Sequence, residues 1–167
     1  DVCSSDLKIF PNGTIWWNYQ YISVNEFAGQ PAIDSKGNIY AADRIGSLSA
    51  SLFKLNATGG LVWATPFYGS FPMASFPVLF NESYIITSTS NGNILLFDTE
   101  TGVFNTILNI FDYNNYDLSA QMVFSDGVLY GVSTSNGYLF AFDTTNIFNL
   151  TILWKINTGV TIAGRGG

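Results

Sequence analysis

The residue types that most often perform catalysis or bind metals are scarce in this chain. Among its 167 residues there is no histidine and a single cysteine, Cys3. Nucleophilic schemes that need a histidine base, and zinc or iron sites built from histidine and cysteine, cannot be assembled from this composition. We therefore predict no catalytic residue, no metal site and no cofactor.

Calcium needs separate consideration, because its ligands are oxygen atoms. The segment 112–117 begins as a calcium loop does, with Asp112 and Asn114 two positions apart. Tyr116 then occupies the position of the third oxygen ligand, and no glycine follows to make the sharp turn. A polar connection between structural units is the favoured interpretation of this segment.

The elements that would position any site follow from an internal repeat of 45 residues. Segments 83–86 and 91–98 return as 128–131 and 136–143, and a looser copy lies at 38–41. In this alignment Ile39, Tyr84 and Leu129 are spaced 45 residues apart. A fixed period of this size indicates an array of similar supersecondary units.

Each unit divides into four short apolar segments separated by turn residues. Asn91-Gly92, Asp126-Gly127 and Asn136-Gly137 supply residues that tolerate the positive φ of tight hairpins. Some segments, such as 94–97, are apolar on both faces, which is typical of fully buried strands. The predicted strands are 30–34, 38–43, 48–55 and 61–65, then 75–80, 83–88, 93–97 and 103–110, then 120–124, 128–134, 138–142 and 151–156.

Four antiparallel strands in about 45 residues is the content of one β-propeller blade. We predict an all-β fold, a partial β-propeller of about three four-stranded antiparallel blades plus partial blades at each end. A solenoid or a sandwich is the alternative. The predicted boundaries are 8–29 for the end of a truncated blade, 30–74, 75–118 and 119–159 for three blades, and 160–167 for the start of the next. Because propellers usually have four to eight blades, we expect an arc of a larger ring.

Residues 1–7 fit no repeat unit. They match the peptide that one reading frame of a common sequencing-library adapter encodes, so we interpret them as an assembly scar. A disordered natural start is the alternative. If these residues are a scar, Cys3 is not native, and the cysteine count gives no information on the redox compartment.

The charge balance is acidic, with 12 Asp and Glu against 6 Lys and Arg. The basic residues form no patch in the sequence, which argues against nucleic-acid binding. No run of 18 apolar residues is found, so we predict no membrane segment in this sequence. Four Asn-x-Ser/Thr sequons occur, at Asn12, Asn56, Asn81 and Asn149, where chance predicts about three. Their number therefore decides nothing about secretion.

Three stretches resemble the repeat of the pyrroloquinoline-quinone-like (PQQ-like) propellers. They are 31–33 with 37–40, 95–102, and 139–143 with Trp154, and the resemblance spans residues 8–159. In that family a tryptophan in the fourth strand packs between blades, and an aspartate with Thr-Gly makes the preceding turn. The resemblance implies these structural roles for Trp16, Trp63, Trp154, Asp98, Gly102 and Asp143. The middle unit lacks the tryptophan and has only Phe104 in 103–110.

Connections between the units are the predicted binding regions, because loops on a rigid scaffold usually carry function. They cover 22–29, 66–74 and 111–119. Their aromatic and amide side chains suit peptides, sugars or partner proteins. The candidate ligand-binding residues are Phe67, Tyr68, Tyr113, Asn114, Asn115 and Tyr116. The alternative is that these aromatic residues only cover the rim.

Three functions stay open at this stage. The favoured one is a non-catalytic scaffold that binds a protein or small ligand, extracytoplasmic or secreted as the resemblance implies. The second is a fragment of a quinone-dependent dehydrogenase, whose catalytic aspartate, calcium-binding carboxylates and vicinal disulfide cannot be placed here. The third is the sensor ectodomain of a receptor, which requires a membrane segment downstream.

Overall fold

The computed structural model describes residues 5–9, 15–20, 26–27, 30–44, 49–68, 75–89, 91–110, 122–133 and 136–159. All regular elements in these residues are β-strands. The strands are β1 (Ser5–Ile9), β2 (Ile15–Gln20), β3 (Glu26–Phe27), β4 (Ala32–Ile33), β5 (Ile39–Arg44), β6 (Ser49–Leu55), β7 (Leu61–Tyr68), β8 (Val78–Asn81), β9 (Tyr84–Ser88), β10 (Asn93–Asp98), β11 (Phe104–Asn109), β12 (Val123–Ser125), β13 (Val128–Ser133), β14 (Tyr138–Asp143) and β15 (Thr151–Asn157).

The strands form three antiparallel sheets of four positions each, together with the β1–β2 hairpin. The second and third sheets, β8–β11 and β12–β15, follow chain order. In the first sheet two short strands, β3 and β4, pair with different parts of the same edge of β5 and together take the first position. β5, β6 and β7 take the other three positions. The predicted all-β class, with four-stranded antiparallel units, is confirmed.

The three sheets stack face to face, and the second sheet shows why. Ile85 and Phe97 pack with the first sheet, whereas Ile86 and Leu96 pack with the third. Alternate residues of a strand point to opposite faces, so a strand that is apolar at every position can serve two neighbours at once. The first strands, β4, β8 and β12, lie next to one another. This is the radial arrangement of propeller blades, and the sheets are called blades 1, 2 and 3 below.

Strand pairing corrects the phase of the repeat. Ile39, Ile85 and Leu129 occupy the same place in their blades. Each pairs with a residue of the third strand, and that residue directly precedes the turn into the fourth strand. The structural equivalent of Ile39 in blade 2 is therefore Ile85, not Tyr84. Between blades 2 and 3 the offset has a local cause, since the bulge between Leu79 and Asn81 gives the first hairpin of blade 2 one residue more than that of blade 3.

The β1–β2 hairpin repeats the pairing of the third and fourth strands of blade 1. Lys8 lies opposite Trp17, as Lys54 lies opposite Trp63, and a bulge follows at the same place in both ladders. Trp17 thus occupies the backbone position of Trp63. Trp16, for which the resemblance implies the packing role, lies at the bulge of this ladder.

Two strands extend beyond the regions that the sequence predicts as strand. β1 includes Ser5, Asp6 and Leu7, which pair with β2 although the repeat pattern excludes them. β3 falls in the predicted connection 22–29 and pairs with the end of β5. A two-residue strand is too short to carry an alternating pattern, so β3 was not visible in the sequence.

Candidate functional site

Each blade has a face that points toward the next blade in chain order, called here its forward face. On this face one residue from each strand forms a row across the sheet, because directly opposite residues of antiparallel strands share a face. The rows are Ala32–Tyr40–Lys54–Trp63 in blade 1, Val78–Ile86–Leu96–Asn105 in blade 2, and Val123–Tyr130–Ala141–Trp154 in blade 3.

In blade 1 the row is covered by the 98–102 turn of blade 2. The Trp63 indole Nε1–H donates to the carbonyl oxygen of Thr99 at 3.1 Å, and the Lys54 ammonium donates to the same oxygen at 2.8 Å. The Thr65 hydroxyl donates to the carbonyl of Gly102 at 2.8 Å. A Cβ at Gly102 would lie 2.8 Å from Trp63 Cδ2, so only glycine allows this approach.

The 98–102 turn owes its shape to Asp98. Its carboxylate accepts from the backbone N–H of Thr101 at 2.7 Å, from the Thr101 hydroxyl at 2.8 Å and from the N–H of Glu100 at 3.0 Å. These bonds, those from Thr101 first, hold the pKa of Asp98 below its usual value. Asn56 and Asp143 accept backbone N–H groups at the same position of blades 1 and 3.

Tyr40 lies beside Trp63, with ring centroids 6.1 Å apart, and is fully buried. Its hydroxyl donates to Asp34 at 3.0 Å, and Asn38 donates to the same carboxylate from its backbone at 2.8 Å and its side chain at 2.8 Å. Burial acts to raise the pKa of Asp34, but the hydrogen bonds outweigh it and the pKa is lowered. Burial, with the neighbouring Asp34, raises the pKa of Tyr40.

Blade 2 has no tryptophan in its row, and its contact with blade 3 is mainly apolar. Ile86 and Leu96 join a buried cluster that also includes Phe140 and Phe142 of blade 3. Two aromatic pairs extend the contact, Phe80 with Phe124 at 4.5 Å and Tyr84 with Phe148 at 5.6 Å between centroids. This second interface therefore depends on apolar packing where the first adds side-chain hydrogen bonds.

The row of blade 3 repeats that of blade 1 but is open to solvent. Tyr130 and Trp154 have ring centroids 6.2 Å apart and an interplanar angle of 51°, against 6.1 Å and 48° for Tyr40 and Trp63. Yet Tyr130 is 39% exposed and Trp154 42% exposed, whereas Tyr40 is 0% exposed. The forward face of blade 3 is therefore the candidate functional site.

The central rows of this face are apolar, whereas Asp143 and Thr151 lie at its edge, on either side of the turn before β15. A second row, Val132–Leu139–Ile156, lies beside the first and continues it without a charged side chain. Val123 is 53% exposed and Ile156 is 55% exposed. Large apolar patches on a protein surface mark sites of interaction. Sequence analysis predicted a packing role for Trp154, not a functional one, and it missed Tyr130, although the 90 residues between Tyr130 and the matching Tyr40 are two repeat periods.

The predicted ligand-binding residues are not brought together among the described residues. Phe67 and Tyr68 end β7, where their backbones pair with β6, and their side chains fall outside the described part. Tyr113, Asn114, Asn115 and Tyr116 lie outside the described residues altogether. The binding role of these connections stays a prediction, and so does the packing role of Trp16.

The described residues also bear on other classes of site. They contain no group of three or more histidine, cysteine, aspartate or glutamate side chains arranged to hold a metal ion. In the same part of the chain, no helix has the length and hydropathy to cross a membrane.

Comparisons with known proteins support the architecture. The WD40 domain of Neurospora crassa Pan2 is similar with a TM-score of 0.62 and 14% identity, covering 87% of this chain and 40% of that one. The computationally designed Ika8 protein gives a TM-score of 0.55 and 12% identity over 76% of this chain and 35% of that one. BamB from Moraxella catarrhalis is 17% identical over 85% of this chain and 52% of that one, with a TM-score of 0.45.

At these identities the likeness concerns the fold alone, and the chain spans less than half the length of the first two structures. No protein-family model matches the sequence, and no curated protein matches it. WD40 domains are propellers with four strands in each blade. The stacked sheets and the likeness to the Pan2 WD40 domain together define the chain as an all-β protein of the β-propeller class.

Proposed function

We propose that this chain is a non-catalytic β-propeller scaffold for protein interaction, and that the forward face of blade 3 is a docking face for another propeller blade. One observation carries the proposal. The Tyr130–Trp154 pair repeats the geometry of the Tyr40–Trp63 pair, which blade 2 covers, but it faces solvent. Buried tryptophan and tyrosine side chains usually place their N–H or O–H on a partner, so the face favours an occupant with exposed acceptors.

The occupant that fits this face is the sheet of another propeller blade. Blade 2 offers blade 1 an apolar sheet and a turn whose Thr99 carbonyl accepts from Trp63. An equivalent blade would offer a carbonyl to the Trp154 indole. The face is about five residues long and four strands wide, so its area is roughly 300 Å². Each protein in a stable complex of separate molecules buries about 800 Å². A covalently tethered blade therefore fits better than a separate molecule, because tethering raises the effective concentration.

The PQQ-like resemblance favours the same proposal and refines it. It favours a larger ring of that family and an extracytoplasmic setting. The inter-blade connections 66–74 and 111–119 would then carry ligands or partner proteins at the end of the ring. No observation on the described residues favours the dehydrogenase or receptor alternatives over this scaffold.

A chain extended by its own second unit tests the docking face. Residues 75–118 are appended after Gly167, since this unit covers a Tyr–Trp row in the parent. The contribution of Trp154 to fluorescence is obtained by subtracting the spectrum of the Trp154→Phe variant. We expect a blue shift of Trp154 emission and protection from acrylamide in the extended chain. Unchanged quenching of Trp154 in a chain whose added unit is folded, as judged by circular dichroism, contradicts the proposal.

A matched control separates docking from a general effect of added residues. Leu153 is adjacent to Trp154 and 52% exposed, but it lies at the β15 bulge, outside the row. Leu153→Ala should leave the protection of Trp154 intact. Tyr130→Ala should reduce it, because Tyr130 supports the Trp154 ring.

A further inference from the structure

The two ends of the blades differ in the connections they carry. In each blade, the turn from first to second strand and the turn from third to fourth strand lie at one end, called here the turn end. The pairing of Tyr84 with Asp98 and of Val128 with Asp143 shows this in blades 2 and 3. The remaining connections lie at the opposite end, called the loop end.

The turn ends of adjacent blades contact one another and form one surface. The backbone N–H of Ser35 in blade 1 donates to the Glu82 carboxylate of blade 2 at 3.3 Å. Tyr84 of blade 2 packs edge-on against Phe148 of blade 3, with centroids 5.6 Å apart. The turn end is therefore a continuous side of the molecule across all three blades.

Each described blade places one Asn-x-Ser/Thr sequon on this surface. Asn56 opens the turn between the third and fourth strands of blade 1. Asn81 ends β8, at the turn between the first and second strands of blade 2. Asn149 lies just before β15, between the third and fourth strands of blade 3. The fourth sequon, at Asn12, falls between β1 and β2, outside the described residues. The predicted binding connections 22–29, 66–74 and 111–119 contain no sequon. Number alone was uninformative, but this shared location is a structural pattern.

The local structure at two of these sites suits modification. Asn81 is exposed, and the hydrogen bonds from Ser83 N at 2.8 Å and Tyr84 N at 3.0 Å use its carboxamide oxygen rather than its nitrogen. Asn149 is also exposed, next to Leu150, which is 2% exposed and anchors the segment to the core. Asn56 is half-buried, and its oxygen accepts from both the N–H and the hydroxyl of Thr58.

We propose that the turn end is an N-glycosylation surface, modified once in each of the three blades, which leaves the loop end for partners. The donor class is an oligosaccharide carried on a lipid pyrophosphate. The asparagine carboxamide nitrogen forms a bond to the first sugar carbon, the bond from that carbon to phosphate oxygen breaks, and the lipid pyrophosphate leaves. The amide loses one proton to a base. N-linked glycans are bulky and solubilising, and so they require a surface location.

The exposure of the three sites orders the expected occupancy. Asn81 and Asn149 should be modified to a greater extent than Asn56, because the Asn56 carboxamide is half-buried in its turn. A Cβ at Gly60 would lie 2.9 Å from Asn56 Nδ2, which shows how closely the turn surrounds that nitrogen.

The test is secretion of the full chain from a eukaryotic cell behind a cleavable signal peptide. Its intact mass is measured before and after treatment with peptide-N-glycosidase, and the modified positions are mapped as asparagine-to-aspartate conversions. We expect glycans at Asn81, Asn149 and Asn56, with lower occupancy at Asn56 than at the other two sites. Secreted protein that lacks a glycan at any of the three sites overturns the proposal.

Matched variants keep the test independent of folding. Ser83→Ala and Thr151→Ala should each remove one glycan, whereas Ser83→Thr and Thr151→Ser keep the sequon and should retain it. If a glycan persists in the alanine variants, the sequon assignment is wrong. The docking experiment on Trp154 uses unglycosylated protein, so failure of either proposal is visible without the other.

Discussion

The Tyr40–Trp63 pair of blade 1 and the Tyr130–Trp154 pair of blade 3 are the same arrangement in two surroundings. Centroid distances agree to 6.1 and 6.2 Å, and interplanar angles to 48° and 51°. The first pair supports the 98–102 turn of the neighbouring blade, and the second is exposed.

This agreement shows that the geometry of the pair originates within the blade. Tyr40 and Trp63 both flank Lys54 in the ladder, and Tyr130 and Trp154 both flank Ala141 in the same way. Strand pairing alone therefore positions the rings. The neighbour contributes burial and hydrogen bonds, but it is not needed to organise the face. A face that is organised before it is covered pays little conformational entropy on docking.

The largest predicted contrast is between the two tryptophans. Trp63→Ala should lower the free energy of unfolding by about 3 kcal/mol, since it leaves a cavity above the 98–102 turn and removes a donor to Thr99. Trp154→Ala should change it by about 0.5 kcal/mol, because surface substitutions have small effects. Urea denaturation of both variants and the parent, followed by circular dichroism, measures the difference.

Trp63→Phe serves as the control for this contrast. It keeps an aromatic ring but removes the indole N–H. It should therefore lower the free energy of unfolding by less than Trp63→Ala does and by more than Trp154→Phe does. Equal losses for the two alanine variants would show that Trp154 is as well covered as Trp63, and the comparison between the two pairs would fail.

The second prediction concerns Gly102, which lies in the blade 2 turn that packs against blade 1. Gly102 has φ of 72° and Gly127 has φ of 78°, so alanine is strained at both. A Cβ at Gly102 would lie 2.7 Å from Thr65 Oγ1, whereas at Gly127 it would meet nothing within 4 Å. Gly102→Ala should therefore destabilise the protein by about 2 kcal/mol more than Gly127→Ala. Thermal melts of both variants measure this difference, and equal shifts would mean that blade 1 does not pack closely on the turn.

Much of the fold could be predicted from the sequence, because it rests on local chemistry that repeats. Twelve predicted strands overlap observed strands β4 to β15. Turns such as Gly92 and Gly137 adopt the positive φ that their residue type predicted. Uniformly apolar segments such as 94–97 indicated a sheet with neighbours on both faces, and the two apolar clusters show those neighbours.

What the sequence could not supply depends on single-residue offsets and on contacts between units. The bulge in β8 moves the equivalent of Leu129 from Tyr84 to Ile85, and the ladder of the first hairpin places Trp17 rather than Trp16 opposite Lys8. Neither shift changes composition or period by enough to be seen in an alignment. Exposure of Trp154 depends on whether another sheet covers it, which no property of β15 alone encodes. The candidate site therefore appeared only from comparing blades.

A third prediction uses the buried carboxylate beneath the covered pair. The pKa of Asp34 is lowered in the folded state, so the ionised form stabilises the fold above the unfolded pKa of about 3.9, and this contribution is lost as pH falls through the folded pKa. Asp34→Asn should reduce stability near neutral pH and flatten its dependence on pH below about 4. Urea midpoints measured from pH 7 down to pH 2 test this. Glu100→Gln, at an exposed site, is the control, and an unchanged acid slope in Asp34→Asn would contradict the assignment.

The smallest predicted effect lies at the residue that differs most between the two rows. Lys54 donates to the Thr99 carbonyl at 2.8 Å and lies 5.5 Å from the Tyr40 ring centroid, whereas blade 3 has Ala141 at this position. Lys54→Met keeps the apolar stem and should cost about 1 kcal/mol, since Trp63 still donates to that carbonyl. Lys36→Met, at an exposed turn, is the matched control.

Combined with Trp63→Phe, Lys54→Met should lower the free energy of unfolding by more than the sum of the single changes, because the Thr99 carbonyl then loses both donors. Simple additivity would show that the two donors act independently, and the shared acceptor would no longer explain how blade 1 holds its neighbour.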